Sequence, residues 1–534
     1  MRQLNGHDAS FLYSDTTHAN SNVTLIQIYD QSTAPGGIVR FKSIMAHIES
    51  RLDRSPIFRS KLLHAPLELD YPYWVEDENF DLEYHVRHVA LPKPGDWRQF
   101  CIQASRIHAR PLDLNRPLWE IYVMEGLDSF IDLPVGSFAL LIKIHHAAID
   151  VEHGSEISML LHDLSPIPPK VQPPKPWFPE TPPGRLALLL QGISKTVRYP
   201  FHLGLPLNRS LSRLGPIAVN FFKDMVLKPE FMTPTRFNSV VSPYRVFDTR
   251  RFMVSEFKDI SRLVPRATIN DAVIAVCAGA LRRYLELHDE LPSSSLTAAA
   301  PVYVRDADKA RVGRPDVSWL RVGLGTDIAD PVLRLKHIHQ RTSSSEVIAR
   351  AVEAKELTDV AQHAPAATLA LASKMLARAA TSGGGRMPLA NCTITNVPGS
   401  AKPVYLNGAR MTYFSAIMPI YDGMGLVMAV TSYDGRIVIS PTSCRYLMPD
   451  PEVFSQCIRD SFQEYLALAN MPSVQSRRPP RAAKKTKTVP APKLAVARVS
   501  ASGKRKPKRL TARMAASALR LVQGGRPQST SPSD

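Results

Sequence analysis

The chain has 534 residues, more than one hydrophobic core normally holds, so we expect two domains with additional segments. Its hydrophobic content of 44% is ordinary for a globular protein. Its five cysteines are far apart and form no C-x-x-C pair, which argues against a zinc site or a disulfide framework and indicates a reducing compartment.

The formal net charge of +18 comes mainly from one end of the chain. Residues 471–534 contain 16 Lys or Arg residues and one acidic residue, so residues 1–470 have a net charge of only +3. The first residues lack the apolar core of a signal peptide, and no apolar run is long enough to span a bilayer. We therefore expect a cytoplasmic protein.

Residues 1–165 read as one α/β unit. Alternating and helical spacings of apolar residues predict its elements in the following order: strand Asn22–Tyr29, helix Phe41–Arg51, helix Trp97–Arg110, strand Leu118–Met124, buried strand Phe138–Ile144 and short helix Ile157–Leu164.

The middle of the chain, residues 166–240, begins with a proline-rich linker and continues as a connector of apolar and basic residues. A second α/β unit is predicted for residues 241–470. Its elements are helix Asp271–His288, capped by Thr268 or Asn270, strand Val317–Ile328, helix Pro331–Val352 and a β-hairpin whose turn is Tyr433–Arg436.

Residues 471–534 contain many Pro, Lys, Arg, Ala and Ser residues and no aromatic residue, which predicts a disordered basic tail. Within it, Leu510–Val522 has the spacing of a basic amphipathic helix. Because base stacking needs aromatic side chains, we expect no nucleic acid as partner. Clustered cations instead suit an anionic membrane or lipid-droplet surface, so we expect peripheral attachment there.

A polar cluster follows the buried strand: His145, His146 and, four residues later, Asp150. In open α/β sheets, ligands bind at the carboxyl ends of strands. A histidine there can take a proton near neutral pH, and a nearby carboxylate can hold its environment in place. The pattern by itself is also consistent with satisfied polar residues at a strand end, because the chain has 16 histidines.

Other motifs accompany this cluster in a defined order. They are Leu4–Leu12, Arg116–Glu120 (Arg-Pro-Leu-Trp-Glu), Ala267–Ala272 (Ala-Thr-Ile-Asn-Asp-Ala), Pro301–Arg305 (Pro-Val-Tyr-Val-Arg), Gly325–Pro331 and Asn396–Gly399 (Asn-Val-Pro-Gly). Together, over about residues 1–470, they resemble the bacterial wax ester synthase/acyl-CoA:diacylglycerol acyltransferase family, a member of the H-H-x-x-x-D acyltransferase group.

The resemblance implies a fold like that of chloramphenicol acetyltransferase, with two similar α/β domains and an interdomain tunnel that holds the catalytic histidine. It implies that His146, next to His145, is the general base that deprotonates an acceptor hydroxyl, which then attacks an acyl-CoA thioester without a covalent enzyme intermediate. Acyl-CoA would be a co-substrate, and neither a cofactor nor a metal is expected. Asp150 would either orient His146 or pair with an arginine, for which Arg305 is the candidate.

The resemblance also implies roles outside the histidine motif. Asn270 and Asp271 would support the site, although a helix cap is the simpler interpretation of this pair. Pro117, Leu118 and Trp119 would lie near the substrate channel, although Trp119 has the character of a core aromatic.

Two positions depart from the family pattern. Val151 stands where the family has Gly after the aspartate, and Tyr303 replaces a small residue. The first hypothesis is an O-acyltransferase that moves a long acyl group from acyl-CoA to diacylglycerol or a long-chain alcohol. The second is a catalytically weak or inactive homologue that binds lipid droplets or membranes. A peptide condensation domain of the same group fits the later motifs less well.

Overall fold

Two mixed β-sheets organise the body of the protein. The computed structural model describes residues 1–66, 70–130, 133–149, 160–168, 177–184, 186–194, 233–304, 316–343 and 390–471, without the side chains of His7, 301–304 and 316–320.

The described strands are β1 (Arg2–Gln3), β2 (Asn22–Asp30), β3 (Ser60–Leu63), β4 (Tyr73–Glu76), β5 (Val86–Ala90), β6 (Trp119–Glu125), β7 (Phe138–His145), β8 (Arg245–Phe247), β9 (Arg250–Met253), β10 (Thr297–Val304), β11 (Asp316–Gly323), β12 (Cys392–Pro398), β13 (Tyr405–Leu406), β14 (Ala409–Ile417), β15 (Val427–Tyr433) and β16 (Arg436–Cys444). The named helices are α1 (Gly6–Ser14), α2 (Phe41–Glu49), α3 (Leu82–His85), α4 (Trp97–Ala109), α5 (Val254–Ser261), α6 (Ile269–Leu287), α7 (Pro331–Ser343) and α8 (Pro451–Asn470).

The first sheet carries the histidine cluster, and in the described part of the chain its strand order is β13-β14-β2-β7-β6-β5. β2 and β7 are antiparallel, with Asn22 opposite His145. Side chains of β7 alternate between two faces, as a strand requires. Ile142 and Ile144 join one core cluster, whereas Leu141 packs with α4 in another. This burial on both faces explains the continuous apolar run in the sequence.

A strand from late in the chain completes the first sheet. β14 pairs antiparallel with β2, placing Ile417 opposite Thr24. The predicted segments 1–165 and 241–470 therefore do not correspond to one sheet each. The first sheet contains strands from both sides of the linker 166–240. The physical reason is that β2 is a central strand whose backbone N–H and C=O groups need a partner on both sides, and its second partner comes from a segment almost 400 residues away, which no local pattern reveals.

The second sheet has the order β11-β10-β12-β15-β16-β8 among the described strands, and β9 also pairs with β16. Helices α5, α6 and α8 share a hydrophobic core with its strands. Thr268 caps α6 in a capping box with Asp271, which selects one of the two predicted caps. In the β15–β16 hairpin, Asp434 and Gly435 both have positive φ, 44° and 74°, as a type I′ turn requires, so the predicted hairpin is confirmed.

Most element predictions in the first half are confirmed within about two residues: the strands β2 and β6 and the helices α2 and α4. Of the predicted helix Ile157–Leu164, the described part is helical only at Leu160, and Asp163 instead forms a β-bridge with Tyr405. The guanidinium of Arg51 donates to the carbonyls of Leu160 and His162, at the point where the helical conformation ends.

In the second half, the predicted strand Val317–Ile328 ends earlier, at Gly323, shortly before a turn in which Gly325 has a φ of 61°. The predicted helix from Pro331 is confirmed up to Ser343. Residues 344–352 of that helix and residues 472–534 of the basic tail lie outside the described residues. The spacing of apolar residues did not predict α1, β14 or α8.

Candidate active site

The His145 side chain is fully engaged by the protein. β7 ends at His145, and a 3-10 turn, His146–Ala148, follows. His145 is 1% exposed. Its Nδ1 accepts the backbone N–H of Ala147 at 3.1 Å, and its Nε2 lies 3.0 Å from Oδ2 of Asp15. Because Nδ1 is an acceptor, the proton of the neutral ring is on Nε2 and is donated to the Asp15 carboxylate. His145 therefore holds the turn and has no free nitrogen for chemistry.

Asp15 lies in the loop after α1, and no motif in the sequence singled it out. Its second carboxylate oxygen accepts the backbone N–H of Ser21 at 2.8 Å and the Ser21 hydroxyl at 2.7 Å. The only sequence signal is indirect: Asp15 precedes β2, and β2 is the strand that pairs with β7. Once that pairing is known, Asp15 is a carboxylate at the same sheet end as the histidines.

His146 is held differently from His145. Its backbone N–H donates to the carbonyl of Ser21 at 2.8 Å. Its imidazole stacks on Phe11 of α1, with ring centroids 3.8 Å apart and an angle of 23° between the planes. His146 is half-buried, whereas His145 is closed off. Of the two histidines, His146 is thus the one that is partly exposed to solvent.

Residues of the second half of the chain reach this loop and connect it to the second sheet. The Tyr421 hydroxyl donates to Oγ of Ser21 at 3.2 Å. Arg245 donates to the carbonyl of His18 at 2.8 Å, and the His18 ring lies 3.0 Å from a carboxylate oxygen of Asp422. The histidine turn therefore lies where the two halves meet.

A buried ion pair lies under the turn. Lys143, two residues before His145, is fully buried, and its Nζ is 3.5 Å from Oε2 of Glu120. Tyr122 donates its hydroxyl to the same carboxylate at 2.9 Å. Burial lowers the pKa of Lys143 to about 8, against the opposing effect of Glu120. Burial, followed by the negative charge of Glu120, raises the pKa of Tyr122 to about 12.

The structure places Trp119 in the core of the first half. Its indole N–H donates to the carbonyl of Phe58 at 3.0 Å, and its ring stacks on His85 at a centroid distance of 4.5 Å. Pro117 and Leu118 are also buried, and the carbonyl of Leu118 accepts the backbone N–H of His145 at 3.0 Å. The three residues thus lie beside the histidine turn and hold the end of β7.

Asp271 is buried and ties the start of α6 to α7. Its carboxylate accepts the N–H of Thr268 at 2.8 Å and the hydroxyl of Thr342 at 2.7 Å, and it lies 3.0 Å from Nδ1 of His339. Asn270 is half-buried and, with Asn396 of the Asn-Val-Pro-Gly motif, lines a cavity of about 10 Å³, the volume of one water-sized sphere.

Four residues of the sequence-based site cannot be placed. Asp150, Val151 and Arg305 lie outside the described residues, and only the backbone of Tyr303 is described. The pairing of Asp150 with Arg305, and the interdomain tunnel, therefore stay predictions. The described residues contain no cluster of three or more His, Cys, Asp or Glu able to hold a metal ion, and none of their helices combines the length and apolarity needed to cross a bilayer.

Two parts of the chain match the models of one protein family. Residues 4–273 match the wax ester synthase/diacylglycerol acyltransferase catalytic domain, and residues 316–465 match the C-terminal domain of the same family.

Curated relatives cover most of the chain. A Mycobacterium tuberculosis protein assigned as a diacylglycerol O-acyltransferase is 31% identical over 84% of this chain and 87% of its own length. A second, with the same assignment and organism, is 34% identical over 81% and 90%. The O-acyltransferase WSD of Acinetobacter baylyi is 30% identical over 71% of this chain and 79% of its own length.

Solved structures show the same fold. The wax ester synthase/diacylglycerol acyltransferase of Marinobacter aquaeolei VT8 superposes with a TM-score of 0.60 at 24% identity, over 88% of this chain and 99% of that one. The trichothecene 15-O-acetyltransferase of Fusarium sporotrichioides gives 0.54 at 12% identity, over 88% and 94%. The predicted α/β architecture of the acyltransferase type is thus confirmed.

Proposed function

Because this chain belongs to the wax ester synthase/diacylglycerol acyltransferase family, we propose that it is an acyl-CoA-dependent O-acyltransferase that uses His146 as general base. The observation that carries the proposal is the unequal state of the paired histidines. His145 is buried with both ring nitrogens engaged, whereas His146 is half-buried on a turn that His145 holds.

In the proposed reaction, an imidazole nitrogen of His146 takes the proton from the acceptor hydroxyl as its oxygen attacks the thioester carbonyl. The tetrahedral intermediate then collapses, the carbon–sulfur bond breaks, and the thiolate of CoA receives the proton from His146. A base within hydrogen-bond reach is needed because a neutral hydroxyl is a poor nucleophile. The stack on Phe11 and the backbone bond to Ser21 support a fixed orientation of His146.

We propose a long-chain acyl group as donor and diacylglycerol or a long-chain alcohol as acceptor, giving triacylglycerol or a wax ester. Support for diacylglycerol comes from the assignments of the M. tuberculosis relatives. The family itself joins both acceptor types, so both remain in the proposal.

The test is a CoA-release assay with the full chain, palmitoyl-CoA and either dioleoylglycerol or hexadecanol. We expect His146→Ala to abolish CoA release while circular dichroism and the melting temperature stay close to wild type. His88→Ala is the matched control, because His88 is another partly exposed histidine, paired with Glu125 on β6. Turnover retained in the His146 variant would contradict its role as base.

A second candidate function is favoured by Val151 and by the basic tail: a weak or inactive homologue that binds lipid surfaces. A β-branched residue resists the positive φ that glycine allows, so Val151 would oppose the backbone conformation that the family's glycine permits. Wild-type protein without CoA release from either acceptor, but bound to anionic vesicles, would favour this candidate over the enzyme.

A further inference from the structure

A cavity of about 600 Å³ lies next to the histidine turn, a volume typical of small-molecule sites. It lies among the 3-10 turn at residues 56–58, the strand β4, the histidine turn and residues 180–183 of the linker. Its buried apolar wall is formed by Ile57, Trp74, Val75 and Ala148.

Residues 180–183, which line the cavity, belong to a proline-rich stretch of the linker, residues 177–184, which we call the proline strap. Glu76 of β4 holds it in place, because its carboxylate accepts the backbone N–H of Glu180 at 2.8 Å and the indole N–H of Trp177 at 3.4 Å. The guanidinium of Arg59 lies 4.9 Å from the centre of the Trp177 ring. Contacts with Glu76 and Arg59 thus attach the strap to the rest of the protein, while Pro182 and Pro183 line the cavity.

Of the charged residues that line the cavity, Glu76 is half-buried and binds the strap, and the others are exposed: Met1, Arg2, Arg54 and Glu180. Arg54 is exposed and donates to the carbonyl of Leu160 at 3.1 Å. The amino group of Met1 is 3.7 Å from the carboxylate of Glu180, which is 81% exposed. The buried part of the lining has no charged group, and its one hydroxyl, that of Ser60, donates to the carbonyl of Pro56. It can therefore receive an alkyl chain but cannot satisfy a charged ligand.

The position of Ala148 connects the cavity to the chemistry. Ala148, which lines the cavity, ends the 3-10 turn that begins at His146. Such a turn rises about 2 Å per residue, so the backbone of Ala148 lies about 4 Å from that of His146 along the turn axis. We infer that the cavity is a subsite for the linear alkyl chain of one of the two lipid substrates, whose reacting end lies at His146. This inference rests on the proposed function.

The experiment narrows the cavity and varies the substrate chain. Ser55 lines the cavity and is half-buried, so the phenyl ring of Ser55→Phe should occupy part of the cavity. The matched control is Ser293→Phe, the same change at an exposed position in the second half that does not line the cavity. In one arm, acyl-CoA varies from 8 to 18 carbons with hexadecanol, and in the other the alcohol varies over the same lengths with palmitoyl-CoA.

Each methylene group buried in an apolar site improves binding by about fourfold, so losing room for two of them costs about fifteenfold in kcat/KM. We expect Ser55→Phe to lower kcat/KM by about that factor for 16-carbon chains and to leave 8-carbon chains within about twofold of wild type. A shift in the acyl-CoA arm alone identifies the acyl chain as occupant, and a shift in the alcohol arm alone identifies the acceptor chain. Unchanged chain-length profiles in both arms, with active wild type and control, would overturn the subsite.

A second measurement uses the wild-type chain and needs no substitution. A 16-carbon alcohol and a 16-carbon acyl-CoA, each with a diazirine at the chain end, are photolysed with the protein and the labelled peptides are mapped. We expect label in peptides that contain Trp74, Ile57 or residues 180–183. Label found only elsewhere would refute the subsite even if Ser55→Phe fails to fold. Absent turnover together with label in these peptides would refute the proposed function and leave the subsite standing.

Discussion

Replacing Asp15 with Asn tests whether the Asp15 carboxylate, through its bond to His145, holds the histidine turn in place. In the structure, Asp15 accepts from the His145 ring on one oxygen and from two donors of Ser21 on the other. An amide has only one acceptor atom. If its oxygen faces Ser21, its NH₂ group faces the N–H of His145, and two donors oppose each other.

If the amide oxygen faces His145 instead, its NH₂ group opposes the backbone N–H of Ser21. The other tautomer of His145 does not relieve the conflict either. Moving the ring proton to Nδ1 would oppose the backbone N–H of Ala147, which now donates to Nδ1 at 3.1 Å. One buried donor therefore stays unpaired in every arrangement, and a hydrogen bond to a charged group is lost. Such a loss costs about 2 kcal/mol, because His145 is 1% exposed and water cannot replace its partner.

We expect Asp15→Asn to lower the free energy of unfolding in urea by about 2 kcal/mol. If the same distortion reaches His146, kcat falls by up to about thirtyfold, while KM changes little because Asp15 does not line the proposed substrate cavity. Asp30→Asn is the matched control, since Asp30 also accepts the N–H and hydroxyl of a serine, Ser32, but at an exposed cap where Asn serves equally well. Stability within about 0.5 kcal/mol of wild type, with unchanged kcat, would refute the argument.

Two further predictions concern the buried ion pair and the tail. The folded pKa of Lys143 is about 8 and its ordinary value is 10.5, so the unfolded chain binds more protons between these pH values. The stability of wild type relative to Lys143→Met should therefore rise by about 3 kcal/mol from pH 8 to pH 10.5 in urea titrations, and a pH-independent difference would contradict the lowered pKa. For the tail, we propose that residues 471–534 bind anionic lipid, so the full chain should sediment with phosphatidylserine vesicles in 50 mM salt and much less in 500 mM salt. A chain ending at residue 470 that sediments as well as the full chain would exclude this role.

Local patterns were sufficient for the elements that bury a continuous or periodic apolar face. The strand β7 is read directly from its apolar run, and the hairpin β15–β16 from Asp434-Gly435, because these signals depend only on neighbouring residues. The same holds for the start of α6, where Thr268 and Asp271 form a capping box within one turn.

Long-range pairing was beyond these patterns. The partner of His145 is 130 residues away in sequence, and the β14–β2 pair joins segments almost 400 residues apart. Neither contact leaves a periodicity in either segment. For the same reason the predicted extension of a helix to Leu164 was wrong, since helical structure stops at Leu160, where Arg51 from a distant turn binds the carbonyls of Leu160 and His162.

The family, the α/β architecture and the importance of the histidine pair follow from the sequence alone, because ordered motifs and apolar periodicity are properties of the chain. The difference between the two histidines arises only in the folded chain. The pairing of β2 with β7 brings Asp15 and Ser21 to the strand end, so that His145 is closed by hydrogen bonds and His146 is left half-buried on Phe11. The cavity beside Ala148 has the same origin, since its wall and the proline strap come from segments that meet only in the folded chain.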